Sequence, residues 1–317
     1  MNRGTVRVGV VGVGSLGEHH ARIYSALSET DLVGIYDAQP ERAEQIAARY
    51  KTKAYGSLAT LADHIDAASV VVPTDRHHSV AEQLLERGLH LLIEKPIAET
   101  TAQAEELVAL AAKRELLLQV GHIERFNPAF TFLEQMNGRP RFIEAHRLAP
   151  YPPPRPGLAP RGTEVSVVLD LMIHDLEVIL HLVQTPIREL HAVGLPVLSP
   201  TEDIANVRLL FEDGCVANVT SSRITPEPIR KFRVFLEDAY VSLDYLQQTG
   251  EIRRKSASGD ITREAVPIEK GEPLTNELRS FARCVMTRDE PVVTGAQAAR
   301  ALQLAAEITR RVREGAS

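Results

Sequence analysis

A chain of 317 residues, 44% hydrophobic and 25% charged, has the composition of a soluble globular protein long enough for two domains. Its formal charge of −6 offers no basic surface for nucleic acid and none for an anionic membrane. Cys215 and Cys284 lie outside any C-x-x-C pattern, so neither a disulfide framework nor a zinc–thiolate site is expected.

The opening "MNRGTVRVGVVG" shows no leader pattern, and no apolar run approaches the roughly 18 residues of a spanning helix. A cytoplasmic protein with no membrane partner is therefore expected. Short β-rich runs follow at 6–11, 32–36, 68–72, 90–93 and 116–120, separated by helical patterns at 16–28, 40–50, 76–87 and 100–114. Strands that are apolar nearly throughout and alternate with helices predict a doubly wound parallel sheet. After about residue 122 the texture changes. A helix is expected at 126–137, then a strand, then "APYPPPRPGLAPRG" (149–162), which can be neither helix nor central strand. An apolar helix is expected at 165–184, and alternating runs at 189–198, 204–211, 215–222, 230–236, 239–244 and 261–266 predict an antiparallel sheet. Helices near 273–288 and 294–313 close the chain.

The first turn carries the chemistry of a dinucleotide site. Gly12, Gly14 and Gly17 make G-x-G-x-x-G directly after a strand and at the start of a helix. Glycines there let the backbone turn tightly and approach a pyrophosphate, which meets the N–H groups of the helix N-terminus. Asp37 ends the second strand, 25 residues after Gly12, where a carboxylate accepts from the ribose hydroxyls and repels a 2′-phosphate. NAD is expected. Asp37 could instead cap the helix opened by Pro40, and the nearby Arg42 keeps NADP open.

Residues 91–99, "LLIEKPIAE", set Glu94-Lys95-Pro96 just after a strand. With the N-terminal glycines, this motif resembles the glucose–fructose oxidoreductase/inositol dehydrogenase (Gfo/Idh/MocA) family over essentially the whole chain. The resemblance implies an α/β protein with an N-terminal Rossmann dinucleotide-binding domain (1–122). A C-terminal α+β domain (123–317) would follow, its open, mainly antiparallel sheet serving substrate binding and homodimer or homotetramer contacts. It also implies that Lys95 reaches the reacting hydroxyl beside the nicotinamide. Ser15, Leu16, Pro73, Thr74, His77 and Glu94 are further expected cofactor contacts.

The run "VVLDLMIHDLE" (167–177) sets ionisable groups in apolar company. Asp170 and His174, four apart, share a helix face. Similar dehydrogenases carry an aspartate and a histidine at this spacing facing the nicotinamide. His174 is then the expected general base, and Asp170 the group that orients its ring. Glu177 and His181 continue the face, so a plain polar stripe competes with this reading. No ligand set of the H-E-x-x-H kind supports a metal, and none is expected.

A narrower resemblance lies in "VGHIERFNPA", "PRGTEVSVVLDLMIHDLE" and "SRITPEPIRKFRVFLEDAYVSLDY". These phrases look like the bacterial branch that oxidises the 3-hydroxyl of UDP-N-acetylglucosamine. A nucleotide-sugar has a diphosphate, and Arg155, Arg161 and Arg223, with Arg230 and Lys231 near them, are the expected cations. Alternatives are a free cyclitol or monosaccharide, a dihydrodiol or biliverdin-type reduction, and a non-catalytic dinucleotide sensor. A scaffold would leave the glycines and E-K-P unexplained.

Overall fold

The computed structural model describes residues 4–136, 138–154, 160–256 and 259–315. These fall into two compact units, one of residues up to 123 with 272–299, the other of 124–271 with 300 onward.

The first unit is a six-stranded sheet in the order β3-β2-β1-β4-β5-β6, every pairing parallel. Its strands are β1 (Val6–Val11), β2 (Thr30–Tyr36), β3 (Lys53–Ala54), β4 (Ala67–Val70), β5 (His90–Glu94) and β6 (Leu118–Gly121). Helices α1 (Ser15–Tyr24), α2 (Pro40–Tyr50), α3 (Leu58–Ala62), α4 (Thr74–Glu86) and α5 (Thr101–Lys113) connect them. The two-residue β3 and the short α3 were not expected. The order reverses between β1 and β4, and in open α/β sheets the ligand crevice lies at the carboxyl ends of strands beside such a switch.

Local rules explain the ends of these elements. Pro40 opens α2, Thr100 and Gln103 form a capping box on α5, and Val8, Val10, Ile35 and Leu92 are wholly buried between sheet and helices. Helix α8 (Pro273–Thr287), expected in the second domain, belongs to this unit. Its apolar face decides the matter, because Leu278 and Phe281 are buried in one core with Val6, Val8 and Tyr24.

The second unit holds an eight-stranded sheet in the order β14-β13-β12-β11-β7-β10-β9-β8. The strands are β7 (Phe142–Leu148), β8 (Ile187–Leu195), β9 (Ile204–Phe211), β10 (Val216–Ser222), β11 (Ile229–Phe235), β12 (Ala239–Asp244), β13 (Thr249–Lys255) and β14 (Ile261–Ala265). All pair antiparallel except β7 with β10, as a mainly antiparallel sheet requires. Strand β13 was not expected. Of its side chains only Ile252 is buried, so it lacks the apolar alternation of its neighbours.

The expected helix at 126–137 is a 3₁₀ turn (Ile123–Phe126) followed by α6 (Pro128–Glu134), whose first turn is capped by Asn127. The expected helix at 165–184 begins with a wide π turn (Val168–Met172), and α7 (Ile173–Val183) continues it against β7. Asp170 therefore sits in the π turn and His174 in the first turn of α7. Helix α9 (Gly295–Gly315) ends the described chain.

Candidate active site

In the first unit the glycine turn is built for close backbone approach. Gly12 has φ +85°, and a Cβ on it would stand 2.7 Å from the Val71 carbonyl oxygen. A Cβ on Gly17 would lie 2.9 Å from the Gly12 carbonyl carbon and closer still to its oxygen. At Gly14 a Cβ would meet no protein atom within 4 Å. Gly14 is also the N-cap of α1, with no side chain capping the first turn. The turn thus leaves open space at Gly14 and offers helix N–H groups, the surroundings a pyrophosphate requires. Ser15 and Leu16 at the same turn are exposed.

Asp37 follows β2 and is half-buried. Its Oδ2 accepts from the Val13 backbone N–H at 2.7 Å and its Oδ1 from Gln39 N–H at 2.9 Å. The carboxylate shapes the glycine turn and keeps lone pairs for further donors. Arg42 donates from Nε to the Val13 carbonyl at 3.0 Å, and its NH2 group donates to Glu18 at 2.7 Å. Its fork is occupied inside the protein, which removes the reason for expecting a 2′-phosphate contact.

Lys95 follows β5 and is half-buried, and the Lys95–Pro96 peptide is cis. Glu94 lies beneath it. One carboxylate oxygen is 3.1 Å from His20 Nε2, the other accepts from the Lys95 backbone N–H at 3.3 Å, and Gly121 leaves room for both. Burial would raise the Glu94 pKa, but the bond and charge of His20, with Lys95 and His77 nearby, bring it below the ordinary value. Glu277 of α8 is wholly buried, and burial beside Glu94 holds its carboxyl well above the ordinary carboxylate range. His20 and Glu277 were not expected to matter. The histidine three places after Gly17 was the only signal for either.

Pro73 and Thr74 stand at the start of α4, exposed and half-buried respectively. His77 corrects an expectation. Its ring is 1% exposed, and both nitrogens face backbone carbonyls of this unit, so it is not a cofactor contact.

In the second unit Asp170 and His174 are half-buried. The Asp170 carboxylate lies against Gly162, where a Cβ would stand 3.0 Å from its Cγ and nearer to Oδ2. Gly162 has φ +82°, so only glycine seats this approach without strain. The rest of the polar stripe is structural. Glu177 accepts from buried Arg125 at 2.9 Å, and His181 pairs with Glu134 at 2.8 Å. Asp175 takes a two-pronged bond from Arg147 at 2.8 and 3.0 Å, and Arg147 also donates to Glu124 at 2.9 Å.

Arg223 is a second correction. It is 2% exposed and makes six hydrogen bonds, to Asp203, the carbonyls of Gly162, Val165 and Glu202, and the hydroxyls of Ser199 and Thr201. Every donor direction is taken, so it cannot hold a diphosphate. Arg161 is exposed, Arg230 is half-exposed 3.6 Å from Glu124, Lys231 pairs with Asp244, and Arg155 lies outside the described residues.

The strand order 3-2-1-4-5-6 with a glycine turn at the switch defines a dinucleotide-binding fold. Comparison with known proteins makes the assignment specific. Residues 6–122 match the oxidoreductase family with an NAD-binding Rossmann fold, and residues 134–242 match the GFO/IDH/MocA C-terminal domain. The chain is 36% identical over 309 residues to the UDP-N-acetylglucosamine 3-dehydrogenase of Acidithiobacillus ferrooxidans, covering 96% of each. A solved structure of that enzyme covers 98% of both chains with a TM-score of 0.91. The scyllo-inositol 2-dehydrogenase (NAD(+)) of Bacillus subtilis is 25% identical, over 98% of this chain and 95% of that protein. The chain belongs to the GFO/IDH/MocA family of oxidoreductases, and its cofactor is NAD.

Proposed function

We propose that this protein oxidises the 3-hydroxyl of UDP-N-acetylglucosamine to a ketone, with NAD as the oxidant. The similarity to an enzyme of that activity along 96% of both chains carries this reading. Bound NAD supplies the hydride acceptor. Lys95, Asp170 and His174 supply the rest. His174 takes the hydroxyl proton, Lys95 stabilises the developing alkoxide, and Asp170 supports the imidazolium that forms. The glycine turn, Asp37 and the Pro73–Thr74 segment hold the cofactor, with the first unit as the cofactor domain and the second as the sugar domain. Arg161 is the described arginine proposed for the diphosphate.

We place the protein in the cytoplasm as a homo-oligomer. Both cysteines are free thiols, and no helix among the described residues is long and apolar enough to cross a membrane. The outer face of the eight-stranded sheet presents Phe235, 38% exposed, clustered with Phe142 and Tyr240, a surface suited to a second copy.

The test incubates purified protein with NAD and a panel of UDP-sugars, inositols and free monosaccharides. NADH is followed by absorbance, and the ketone is located by NMR. A ketone-consuming aminotransferase is included, because oxidation of an alcohol by NAD is uphill. NADH and a 3-keto product from UDP-N-acetylglucosamine are expected. Turnover of inositol alone would move the assignment to a cyclitol, and NAD binding without any turnover would make the protein a sensor.

A further inference from the structure

His77 stands in the first turn of α4, and its ring touches two segments far apart in the chain. Nδ1 is 2.8 Å from the carbonyl oxygen of Pro96, the residue after Lys95. Nε2 is 2.9 Å from the carbonyl oxygen of Val72, in the connection that leaves β4 just before Pro73 and Thr74. Both partners are acceptors only. A neutral imidazole has one N–H, so it would aim a lone pair at one of these carbonyls, whereas an imidazolium donates to both. The ring is 1% exposed, which leaves bulk water no place as a substitute partner.

We propose that His77 is a positioning residue that, as a doubly protonated imidazolium, ties the turn carrying Lys95 to the connection between β4 and α4. The lysine's working position then depends on the second proton of a buried ring. This rests on the reading of Lys95 as the group that acts on the substrate hydroxyl.

The charges around the ring can carry a cation. Glu94 of β5 is a partly buried carboxylate, itself held by His20 of α1, and Asp75 lies two residues before His77 on its own helix. Lys95 adds a like charge from the braced turn, and Glu277 of α8, beyond Glu94, is held towards its neutral form. The net direction is down: burial lowers the His77 pKa below the ordinary histidine value and outweighs the Pro96 and Val72 carbonyls, then Glu94 and Asp75, which act to raise it. The two-acceptor geometry is what argues for a second proton against that direction. Two short bonds from one buried ring to two carbonyls are what the burial cost must be weighed against. A neutral ring would give up one of them and set a lone pair against a carbonyl oxygen, acceptor against acceptor.

The ring's protonation is read by NMR on the full-length protein with NAD, labelled with ¹⁵N-histidine, at about pH 7.5, where an ordinary histidine of pKa about 6.5 is mostly neutral. The His77 signals are assigned by their loss in His77→Gln or, where that variant does not fold, by elimination through single substitutions of the other histidines. Both ring nitrogens are expected to carry slowly exchanging protons. A ring with one protonated nitrogen at that pH overturns the proposal. This measurement needs no sugar, so it stands even if the substrate is not UDP-N-acetylglucosamine, in which case wild type and variant alike would fail to turn that sugar over.

The kinetic arm uses His77→Gln, which has a single donor nitrogen and sets an acceptor oxygen against the other carbonyl. It should lower kcat on the order of 10- to 100-fold, the range for a misplaced reacting group, with NAD affinity retained. Unchanged kcat in a folded His77→Gln protein also overturns the proposal. Should the variant fail to fold, the ring's state in the native protein still decides.

Discussion

Gly14 and Gly17 share one motif, yet the structure assigns their glycine requirement to different causes, and alanine at each separates them. At Gly17 an added methyl would meet the Gly12 backbone, 2.9 Å from its carbonyl carbon, against 3.4 Å for ordinary contact. No rotamer relieves a clash with backbone, so the turn itself must open. Overpacking of this kind costs about 1–3 kcal/mol, and Gly17→Ala should lower stability as well as NAD affinity. At Gly14 the methyl meets nothing within 4 Å, and φ −64° with ψ −160° suits alanine. Folding without cofactor should be unharmed, and restricting the unfolded chain could add about 0.4–1 kcal/mol.

What the Gly14 methyl does occupy is the open space proposed for the pyrophosphate. Losing one charge-assisted bond there, at about 1.5–3 kcal/mol, corresponds to roughly a 10- to 100-fold weaker Kd. Calorimetric titration with NAD gives the affinity, and thermal melts with and without NAD give both stabilities. A bound ligand at 100 times its Kd stabilises by about 2.7 kcal/mol, so the NAD-dependent rise in Tm should shrink sharply in Gly14→Ala. Wild-type NAD affinity in Gly14→Ala would refute the reasoning. So would a Gly14→Ala protein as unstable without NAD as Gly17→Ala.

Asp37→Asn should narrow the preference for NAD over NADP by removing the charge that repels a 2′-phosphate, as paired titrations would read. Because Asp37 also accepts the Val13 N–H, a stability loss on the order of 1 kcal/mol should accompany it. His174→Ala should keep fold and NAD binding while losing roughly 10²–10⁴ in kcat; full activity would make the ring structural. Arg223→Leu should destabilise by about 3–5 kcal/mol through the buried charge left on Asp203, without a specific effect on UDP-sugar affinity. The same pair predicts acid sensitivity. Burial would raise the Asp203 pKa, but Ser199, Arg223 and the N–H groups of Leu198 and Val197 hold it well below the carboxylate range. A depressed folded pKa contributes stability that is complete above the unfolded value of about 3.9 and is lost as pH falls through the folded value. Acid unfolding of wild type should steepen below about pH 4, and this component should vanish in Asp203→Asn.

The first unit was legible because its signals are local. Strand–glycine–helix alternation falls within short windows, and periodicity alone places β1, β2, β4, β5 and β6 to within a few residues. What was not legible depends on partners distant in the chain. Helix α8 reads as amphipathic, but only the structure shows that Leu278 and Phe281 complete a core begun at Val6. Strand β13, with one buried side chain, has no pattern to read. At the site, residue type and neighbourhood suggested His77 and Arg223 as ligand contacts. The direction of a side chain is set by the acceptors it meets, and spacing carries no record that Arg223 would find six of them.

The ionisable groups at 170–177 show what distinguishes the two outcomes. Taking a carboxylate out of water costs several kcal/mol unless an opposite charge and hydrogen bonds replace the solvent. Asp175 and Glu177 are buried, and each is met at 2.8–3.0 Å by an arginine that is buried too, Arg147 and Arg125. Arg147 ties α7 to β7 and Arg125 ties it to the 3₁₀ turn, and neither carboxylate is placed to serve a ligand. Asp170 and His174, on the wide turn and the first turn of the same helix, are only half-buried, and Gly162 gives up its side chain to seat the Asp170 carboxylate. A group whose hydrogen-bonding directions are all taken within its own unit, such as Arg223, maintains shape. A backbone with open space before it, such as the turn at Gly14, is where a ligand can exchange water for protein. One eight-residue stretch thus contains both the buried anchor of the helix and the half-buried groups proposed to act on the sugar.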